Sequence, residues 1–300
     1  ADIAIIGAGI AGMSLAAALA PQADVVVIER EAHPGTHATG RSAALFVENY
    51  GNAAIRRLNR ASRVGLAPYM TKRGVLIVAS AAEHAALDAH LAGSEGLVEI
   101  GLDEAVARFP ILNRKWLSRA AFEADASDID VDALMGAHCR TLKTVGGEIV
   151  LKAEVTDLRR SGEGWVIETS QGQVRASVIV NAAGAWADQI AEMAGIAPLG
   201  LRPLRRSAAM LPAPDGCDMT GWPMALSASE GWYAKPEAGR LMVSPAEEDP
   251  VAPMDAWPDD MVLAEGLDRY AQAVSVPVTR VERTWAGLRT FTPDRTPAMG

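Results

Sequence analysis

The 300-residue chain is long enough to bury a large core, and at this length a single core commonly divides into two domains. Its formal net charge of −9 disfavours a nucleic-acid partner, because the phosphates would repel such a surface. The two cysteines are too few for a disulfide framework and match no metal-ligand spacing. No apolar run is long enough to cross a bilayer and no basic leader precedes the first strand, so the sequence predicts a cytoplasmic protein without a membrane span.

The first thirty residues predict a complete βαβ unit. Residues 2–6 form an apolar run that ends at glycines, as a buried parallel strand does. A helix is predicted over residues 10–19 and is stopped by Pro21. A second apolar run over residues 25–28 ends in Glu29. Strand, glycine turn, helix and strand in this order are typical of a dinucleotide-binding unit.

Helix and strand patterns continue to alternate along the chain. Further helices are predicted at residues 53–68, 81–91, 103–108, 134–145 and 259–273. Further strands are predicted at residues 74–79, 148–151, 165–169, 173–176, 177–180 and 278–283. Residues 198–258 are rich in proline and tryptophan and carry short strands. The sequence therefore predicts an α/β protein, α+β overall, in which a Rossmann-like domain receives an inserted, mainly antiparallel-sheet domain.

The glycine turn of the first unit predicts a diphosphate site. Gly7, Gly9 and Gly12 form a GxGxxG pattern, in which they provide a tight turn, a close backbone approach to the pyrophosphate and close packing of helix on strand. Ile10 and Ala11 begin the helix, whose free N–H groups and dipole favour an anion. Because the motif follows a strand and opens a helix, it indicates a bound dinucleotide.

Three further features bear on which dinucleotide is bound. Glu29 is placed to accept both hydroxyls of an adenosine ribose and disfavours the 2′-phosphate of NADP, which leaves FAD and NAD. Residues 39–44 (Thr-Gly-Arg-Ser-Ala-Ala) form a second glycine-containing turn with donors for the remaining phosphate and the flavin side. Residues 181–186 (Asn-Ala-Ala-Gly-Ala-Trp) supply a second close backbone approach. A nicotinamide enzyme needs neither segment, so FAD is the predicted cofactor.

Five segments carry a resemblance to a known family: AIIGAGIAGMSLAAAL, VVVIERE, ATGRSAA, VNAAGAWAD and WAGLRTFTPD. The chain resembles the D-amino-acid oxidase-like (DAO) FAD-dependent oxidoreductases. Within them it resembles most the D-arginine and D-amino-acid dehydrogenases, through SDIDVDAL, PLGLRPLRRSA, WPMALS and KPEAG. The resemblance covers nearly the whole chain. It implies a non-covalent FAD extended across the first domain, with the substrate on the face of the ring beneath the second.

Motifs and resemblance together assign domains and cofactor contacts. Residues 1–75, 140–200 and 285–300 are expected to form the FAD-binding domain, and residues 76–139 and 201–284 the substrate-binding domain. The family pattern continues past residue 300, so the chain is expected to be part of a longer polypeptide. The candidate cofactor-binding residues are Gly7, Gly9, Ile10, Ala11, Gly12, Glu29, Arg30, Thr39, Gly40, Arg41, Ser42, Ala43, Ala44, Val155, Ala182, Gly184 and Trp186.

The resemblance also implies a substrate site. Hydride transfer from an amine carbon to flavin N5 needs little acid–base help, so the protein must mainly hold a carboxylate and orient the Cα–H bond. Arg206 and Arg289 correspond to the family arginines that pair with that carboxylate, and Arg205 is the alternative to Arg206. Tyr233 corresponds to a tyrosine that hydrogen-bonds the same group. Tyr50 corresponds to a mobile lid tyrosine.

Two departures from the family pattern concern the substrate side chain. Leu45 stands where the arginine-using relatives have a histidine, and the strand beginning at residue 73 lacks their acidic partner for a guanidinium. An unpaired buried cation is costly, so neutral or apolar side chains are predicted to be preferred over basic ones. Met224 and Leu226 match apolar pocket positions.

The predicted function is therefore FAD-dependent oxidation of the CH–NH2 group of a D-amino acid to an imino acid, with an unidentified electron acceptor. Three alternatives stay open at this point. A glycine or sarcosine oxidase would share the carboxylate-binding arginines. An NAD-dependent dehydrogenase would be colourless when purified. A non-catalytic flavin-binding subunit of an electron-transfer complex would keep its FAD oxidised when amino acids are added.

Overall fold

The computed structural model describes every residue from Ala1 to Gly300. Its seven α-helices are α1 (Ile10–Leu19), α2 (Ala53–Leu66), α3 (His84–Leu91), α4 (Leu102–Arg108), α5 (Val131–Thr144), α6 (Ala187–Met193) and α7 (Asp260–Ala273). Its strands are β1 (Ile3–Ile6), β2 (Val25–Ile28), β3 (Leu45–Phe46), β4 (Met70–Lys72), β5 (Val75–Ala79), β6 (Leu97–Ile100), β7 (Arg119–Glu123), β8 (Ser127–Ile129), β9 (Glu148–Val150), β10 (Val155–Ser161), β11 (Gly164–Thr169), β12 (Gly172–Ala176), β13 (Val178–Asn181), β14 (Arg202–Leu211), β15 (Met224–Ser227), β16 (Tyr233–Glu237), β17 (Arg240–Ser244), β18 (Asp249–Pro250) and β19 (Arg283–Phe291). Short 3-10 helices lie at Ala67–Tyr69, Ala81–Glu83 and Gly184–Trp186.

A four-stranded parallel sheet, in the order β13-β1-β2-β9, has other elements packed on both of its faces. On one face, Met13 of α1 and Leu142 of α5 pack against Ile5 of β1. On the other face, Leu158 and Ile167 of the three-stranded sheet β10-β11-β12 complete a second apolar cluster. Because both faces are covered, β1 and β2 are apolar runs rather than alternating ones.

The largest sheet is mixed and has nine strands. Eight of them follow the order β18-β14-β17-β16-β15-β5-β7-β6, and β19 pairs with β14. All its strand pairs are antiparallel except β5 with β15. One face buries Phe109, Trp222, Trp232 and Tyr270. The other face carries Tyr233 and turns toward the chain around Leu45. We call this second face the inner face.

The predicted α/β architecture is confirmed, and the first βαβ unit lies within one residue of its predicted bounds. The strand predicted over residues 278–283 is wrong: the strand starts at Arg283, because its only partner, β14, pairs with residues 283–291. None of the helices combines the length and the apolarity that crossing a bilayer requires.

The division into two domains stays a prediction, and two segments pack differently from it. Residues 285–291, assigned to the FAD-binding domain, lie in β19 and extend the large sheet. Residues 131–139, assigned to the substrate-binding domain, begin α5, which packs against α1 beside the parallel sheet. Both differences arise from contacts between segments far apart in the chain, which local patterns do not reveal.

Candidate active site

A cavity of about 570 Å³ lies between the parallel sheet and β19. It runs from the glycine turn before α1 and the end of β2 to residues 287–291. Its volume is within the range of sites for cofactors and small ligands. The cavity therefore joins the dinucleotide motif to one edge of the large sheet.

The glycine turn has no room for side chains at two positions. Gly7 has φ +104°, and a Cβ there would lie 2.4 Å from the carbonyl oxygen of Ala182. A Cβ on Gly12 would lie 1.9 Å from the carbonyl oxygen of Gly7, so α1 packs directly on the turn. Gly9, the N-cap of α1, has no side chain to cap the helix, and the first turn holds no acidic residue. This helix end is therefore suited to an anion.

Glu29 lies at the end of β2 with its side chain buried, and it lines the cavity. Its Oε2 accepts a hydrogen bond from the Ala8 backbone N–H at 2.7 Å, and its Oε1 accepts one from the Glu31 N–H at 2.9 Å. A carboxylate has about four acceptor positions, so each oxygen keeps one for a ligand hydroxyl. The backbone thus orients the carboxylate that was predicted to bind a ribose.

An aromatic group borders the cavity next to Glu29. The Arg30 guanidinium lies 4.1 Å from the ring centre of Trp186, and the His37 ring lies 4.9 Å from the same ring. A hydrogen bond from His37 lowers the pKa of Glu31, with Nε2 at 2.9 Å from Oε1. His37 lines the cavity but was missed in the sequence, because no local motif marks it.

The second glycine turn divides into residues that line the cavity and residues that support them. Thr39 lines it and accepts a hydrogen bond from the Ile10 N–H at 3.0 Å. Arg41 also lines it, but its guanidinium donates to the carbonyl oxygens of Ala256 (2.9 Å) and Ala286 (3.0 Å) and pairs with Asp255. This guanidinium therefore ties the turn to β19.

Twelve of the seventeen candidate cofactor residues line the cavity: Gly7, Gly9, Ile10, Ala11, Glu29, Arg30, Thr39, Arg41, Val155, Ala182, Gly184 and Trp186. The other five do not: Gly12, Gly40, Ser42, Ala43 and Ala44. Gly40 is confined by its own loop, since a Cβ there would lie 2.7 Å from the Gly35 carbonyl oxygen. Apolar lining residues such as Met193 and Met254 were not predicted, because they come from segments without a motif.

Arg206 and Arg289, which we call the arginine pair, project from the inner face of the large sheet. Arg289 of β19 lies opposite Leu204 of β14, and Arg206 follows two residues later on the same face. Arg289 also lines the cavity and donates a hydrogen bond to the hydroxyl of Tyr50. Tyr50 immediately precedes the Gly51–Asn52 turn that caps α2. Three of the predicted substrate residues therefore meet.

Tyr233, the fourth, lies on the same face two strands further along, where it is buried among apolar side chains. Arg205 projects to the opposite face and pairs with Asp249 at 3.2 Å and Asp259 at 3.6 Å. The structure therefore does not bring Arg205, the alternative to Arg206, together with Arg289. Adjacent residues of a strand point to opposite faces of the sheet.

Glu248 was not predicted, and it lies within the arginine pair. Its Oε1 accepts from Arg206 Nη2 at 3.3 Å and from Arg289 Nη1 at 3.2 Å. Arg295 donates to both carboxylate oxygens. The hydrogen bond from Arg295 and the charges of the three guanidinium groups hold the pKa of Glu248 below its ordinary value. No sequence signal singled out this glutamate, because it lies in an irregular segment beyond β17.

A second group of charged residues surrounds Arg73, near which the substrate side chain is predicted to bind. Arg73 Nε donates to Asp128 at 2.7 Å. Lys235, only 2% exposed, places its Nζ 3.2 Å from Asp128, 2.8 Å from Glu237 and 2.9 Å from the carbonyl oxygen of Ala43. Asp128 is thus already paired with two cations of the chain.

Comparison with known proteins identifies the family and several relatives. The sequence profile of the family described as "DAO: FAD dependent oxidoreductase" matches residues 2–300. Glycine oxidase from Geobacillus kaustophilus is 24% identical over 325 residues, covering 100% of this chain and 84% of that protein. L-2-hydroxyglutarate dehydrogenase from Salmonella houtenae is 28% identical over 217 residues, covering 66% of this chain and 50% of that protein.

Solved structures also share the fold over the entire chain, and two examples come from different enzymes. The crystal structure of glycine oxidase from Geobacillus kaustophilus gives a TM-score of 0.84 at 22% identity, with 85% of that chain covered. The crystal structure of L-proline dehydrogenase from P. horikoshii also gives 0.84 at 22% identity, with 84% covered. In each case 100% of this chain is covered.

These matches confirm the predicted family and its cofactor, FAD. They do not support a specific relation to the D-arginine dehydrogenases, because the relatives named above carry other activities. The residues of the cavity fit FAD. The turn at Gly7 excludes a side chain, the N-cap Gly9 of α1 brings no side chain to the helix end and the first turn holds no acidic residue, and the buried Glu29 keeps free acceptor positions.

Proposed function

Because this chain belongs to the family of FAD-dependent oxidoreductases, we propose that it oxidises the CH–NH2 group of a small amino acid to an imino acid. The proposed substrate is a D-amino acid with a neutral or apolar side chain. The observation that carries this proposal is the position of Arg289, which lines the cofactor cavity and shares Glu248 with Arg206. A carboxylate bound there would lie beside the cofactor.

The chain's own residues bind and orient the substrate in this proposal. Guanidinium groups pair with carboxylates through parallel hydrogen bonds, so the arginine pair fixes one end of the substrate. Tyr50, about half exposed and hydrogen-bonded to Arg289, covers that end and limits access of water. When bound, FAD supplies the two-electron oxidant that accepts the hydride from the substrate Cα. The barrier is lowered mainly by positioning.

The preference for neutral side chains is supported by the charges around Asp128. A basic substrate would need an uncompensated carboxylate, whereas Asp128 already pairs with Arg73 and Lys235. Met224, Leu226 and Tyr233 lie on the same inner face and present apolar surface. Burying a cation without a partner costs several kcal/mol. This cost is large enough to exclude a basic substrate side chain from such a site.

A glycine or sarcosine oxidase is the second candidate. It is supported by the similarity to glycine oxidase, which extends over 100% of this chain. The two candidates require the same carboxylate site and differ only in the space beside Cα.

Anaerobic reduction of the bound flavin tests the proposal. The purified yellow protein is mixed without oxygen with D- and L-amino acids, glycine and sarcosine, and the loss of visible flavin absorbance is followed. We expect neutral D-amino acids to bleach the flavin fastest, and D-arginine and D-lysine slowest. Fastest bleaching by glycine or sarcosine would select the second candidate. A flavin that stays oxidised throughout would favour a non-catalytic flavin-binding subunit.

Replacing Arg289 with Met tests the carboxylate site. Charge-assisted hydrogen bonds are worth about 1.5–3 kcal/mol, so KM is expected to rise about 10- to 150-fold. FAD should stay bound, since the glycine turn and Glu29, which fit the cofactor, lie in other segments of the chain. Steady-state kinetics measure the first effect and the flavin-to-protein absorbance ratio measures the second. Unchanged kinetics would remove Arg289 from the site.

A further inference from the structure

We propose that Glu248 is an internal competitor of the substrate carboxylate, which lowers the affinity of the site for anions. This inference rests on the proposed role of the arginine pair. The Oε1 atom of Glu248 lies 3.3 Å from Arg206 Nη2 and 3.2 Å from Arg289 Nη1. These nitrogens belong to the two guanidinium groups that would hold the substrate carboxylate, so Glu248 and the substrate share donors.

Two further nitrogens of the arginine pair also donate hydrogen bonds within the chain. Arg289 Nη2 donates to the Tyr50 hydroxyl, so both terminal nitrogens of Arg289 contact oxygens of the chain itself. Arg206 Nε donates to the Glu247 carbonyl oxygen at 2.8 Å. A substrate that pairs with the N–H groups of Arg289 directed at Tyr50 and Glu248 must therefore displace the Tyr50 hydroxyl, the Glu248 carboxylate or both.

Both displaced groups can move without unfolding the surrounding sheet. The Tyr50 side chain is 49% exposed, and the Glu248 side chain is 31% exposed in the segment between β17 and β18. Arg295, which also holds Glu248, is more exposed still. When Glu248 leaves the arginine pair, its contacts with Arg295 can keep the carboxylate paired.

The charges explain why an anion still binds despite the competitor. Arg206, Arg289 and Arg295 carry three positive charges, and Glu248 carries one negative charge. Two positive charges remain for an incoming carboxylate. Removing the charge of Glu248 leaves three, so the attraction for an anion increases. The expected strengthening is roughly tenfold in Kd, which corresponds to about 1.4 kcal/mol.

Acetate, a carboxylate that carries no amine to oxidise, is the probe for this inference. The FAD-loaded wild type and the Glu248→Gln and Asp249→Asn variants are titrated with acetate at constant ionic strength, and the shift of the flavin absorbance is recorded. We expect Glu248→Gln to bind acetate roughly tenfold more tightly. Asp249→Asn is the matched control, because Asp249 pairs with Arg205 on the opposite face. It should match the wild type.

Equal or weaker acetate binding by Glu248→Gln overturns the inference, since removing a glutamate that only orients the arginines would not strengthen acetate binding. If Glu248→Gln loses its FAD, Glu248→Ala removes the same charge and is judged by the same criterion. Arg289→Met distinguishes a failure of the proposed carboxylate site from a failure of the role of Glu248 alone. If it binds acetate as the wild type does, the proposed carboxylate site fails. If it loses acetate while Glu248→Gln shows no gain, only the role of Glu248 fails.

Discussion

The glycine turn and the arginine pair are built in opposite ways. Gly12 acts within one strand–turn–helix segment, where a Cβ would collide with the carbonyl oxygen of Gly7. The contact between Tyr50 and Arg289, by contrast, joins residues 239 positions apart. The first region depends on local backbone geometry, and the second on the register of strands and on loops that meet. The comparison indicates that the two regions should respond to different substitutions.

The largest expected effect is on the local region. Gly12→Ala introduces a Cβ only 1.9 Å from the Gly7 carbonyl oxygen, so α1 must move away from the turn. We expect loss of FAD and about 1–3 kcal/mol of lost stability, as overpacking typically causes. The flavin-to-protein absorbance ratio and denaturant unfolding measure these effects.

Gly65→Ala is the matched control, because Gly65 is also helical but has nothing within 4 Å of the added Cβ. It should keep FAD and gain at most about 1 kcal/mol from improved helix propensity. Wild-type FAD affinity in Gly12→Ala would contradict the claim that the turn has no spare room.

The next effect separates two neighbouring arginines of β14. Arg206→Met should raise KM about 10- to 150-fold, by the same reasoning as for Arg289. Arg205→Met should leave KM near its wild-type value, because Arg205 points to the other face toward Asp249 and Asp259. It should instead lower stability by about 1–3 kcal/mol through the lost charged contacts. The reverse pattern in kinetics and unfolding would mean that the register of β14 and β19 is different.

The smallest effect concerns a carboxyl group beneath the Tyr50 loop. Burial raises the pKa of Glu123, which contacts Asn49 of that loop. Since the folded state binds this proton more tightly than the unfolded state, the contribution to stability is present at low pH and is lost as pH rises through the raised pKa. Glu123→Gln should therefore be more stable than the wild type at neutral pH, with little difference near pH 4. Thermal unfolding across this range is the measurement. A constant difference at all pH values would exclude titration of Glu123 as the cause.

Much of the fold could be predicted because its elements are marked locally. The bounds of α1 and β2 match the predicted ranges, since glycines, a proline and buried β-branched runs delimit them. The strand at residues 283–291 was misplaced, because its limits are set by the partner β14 rather than by its own composition. The same reason explains the segments that pack across the predicted domain division.

The sequence by itself determined the dinucleotide-binding unit, because a glycine at each required position and an acidic residue after the second strand mark it locally. The further segments at residues 39–44 and 181–186 indicated FAD, and the resemblance of several motifs indicated the family. Tertiary structure alone decided that Arg206 rather than Arg205 joins Arg289, since only the strand register assigns each side chain to a face. It also brought Glu248 into the arginine pair from an irregular segment that carries no pattern. Ion pairs between residues that are far apart in the chain have no signature in the local sequence.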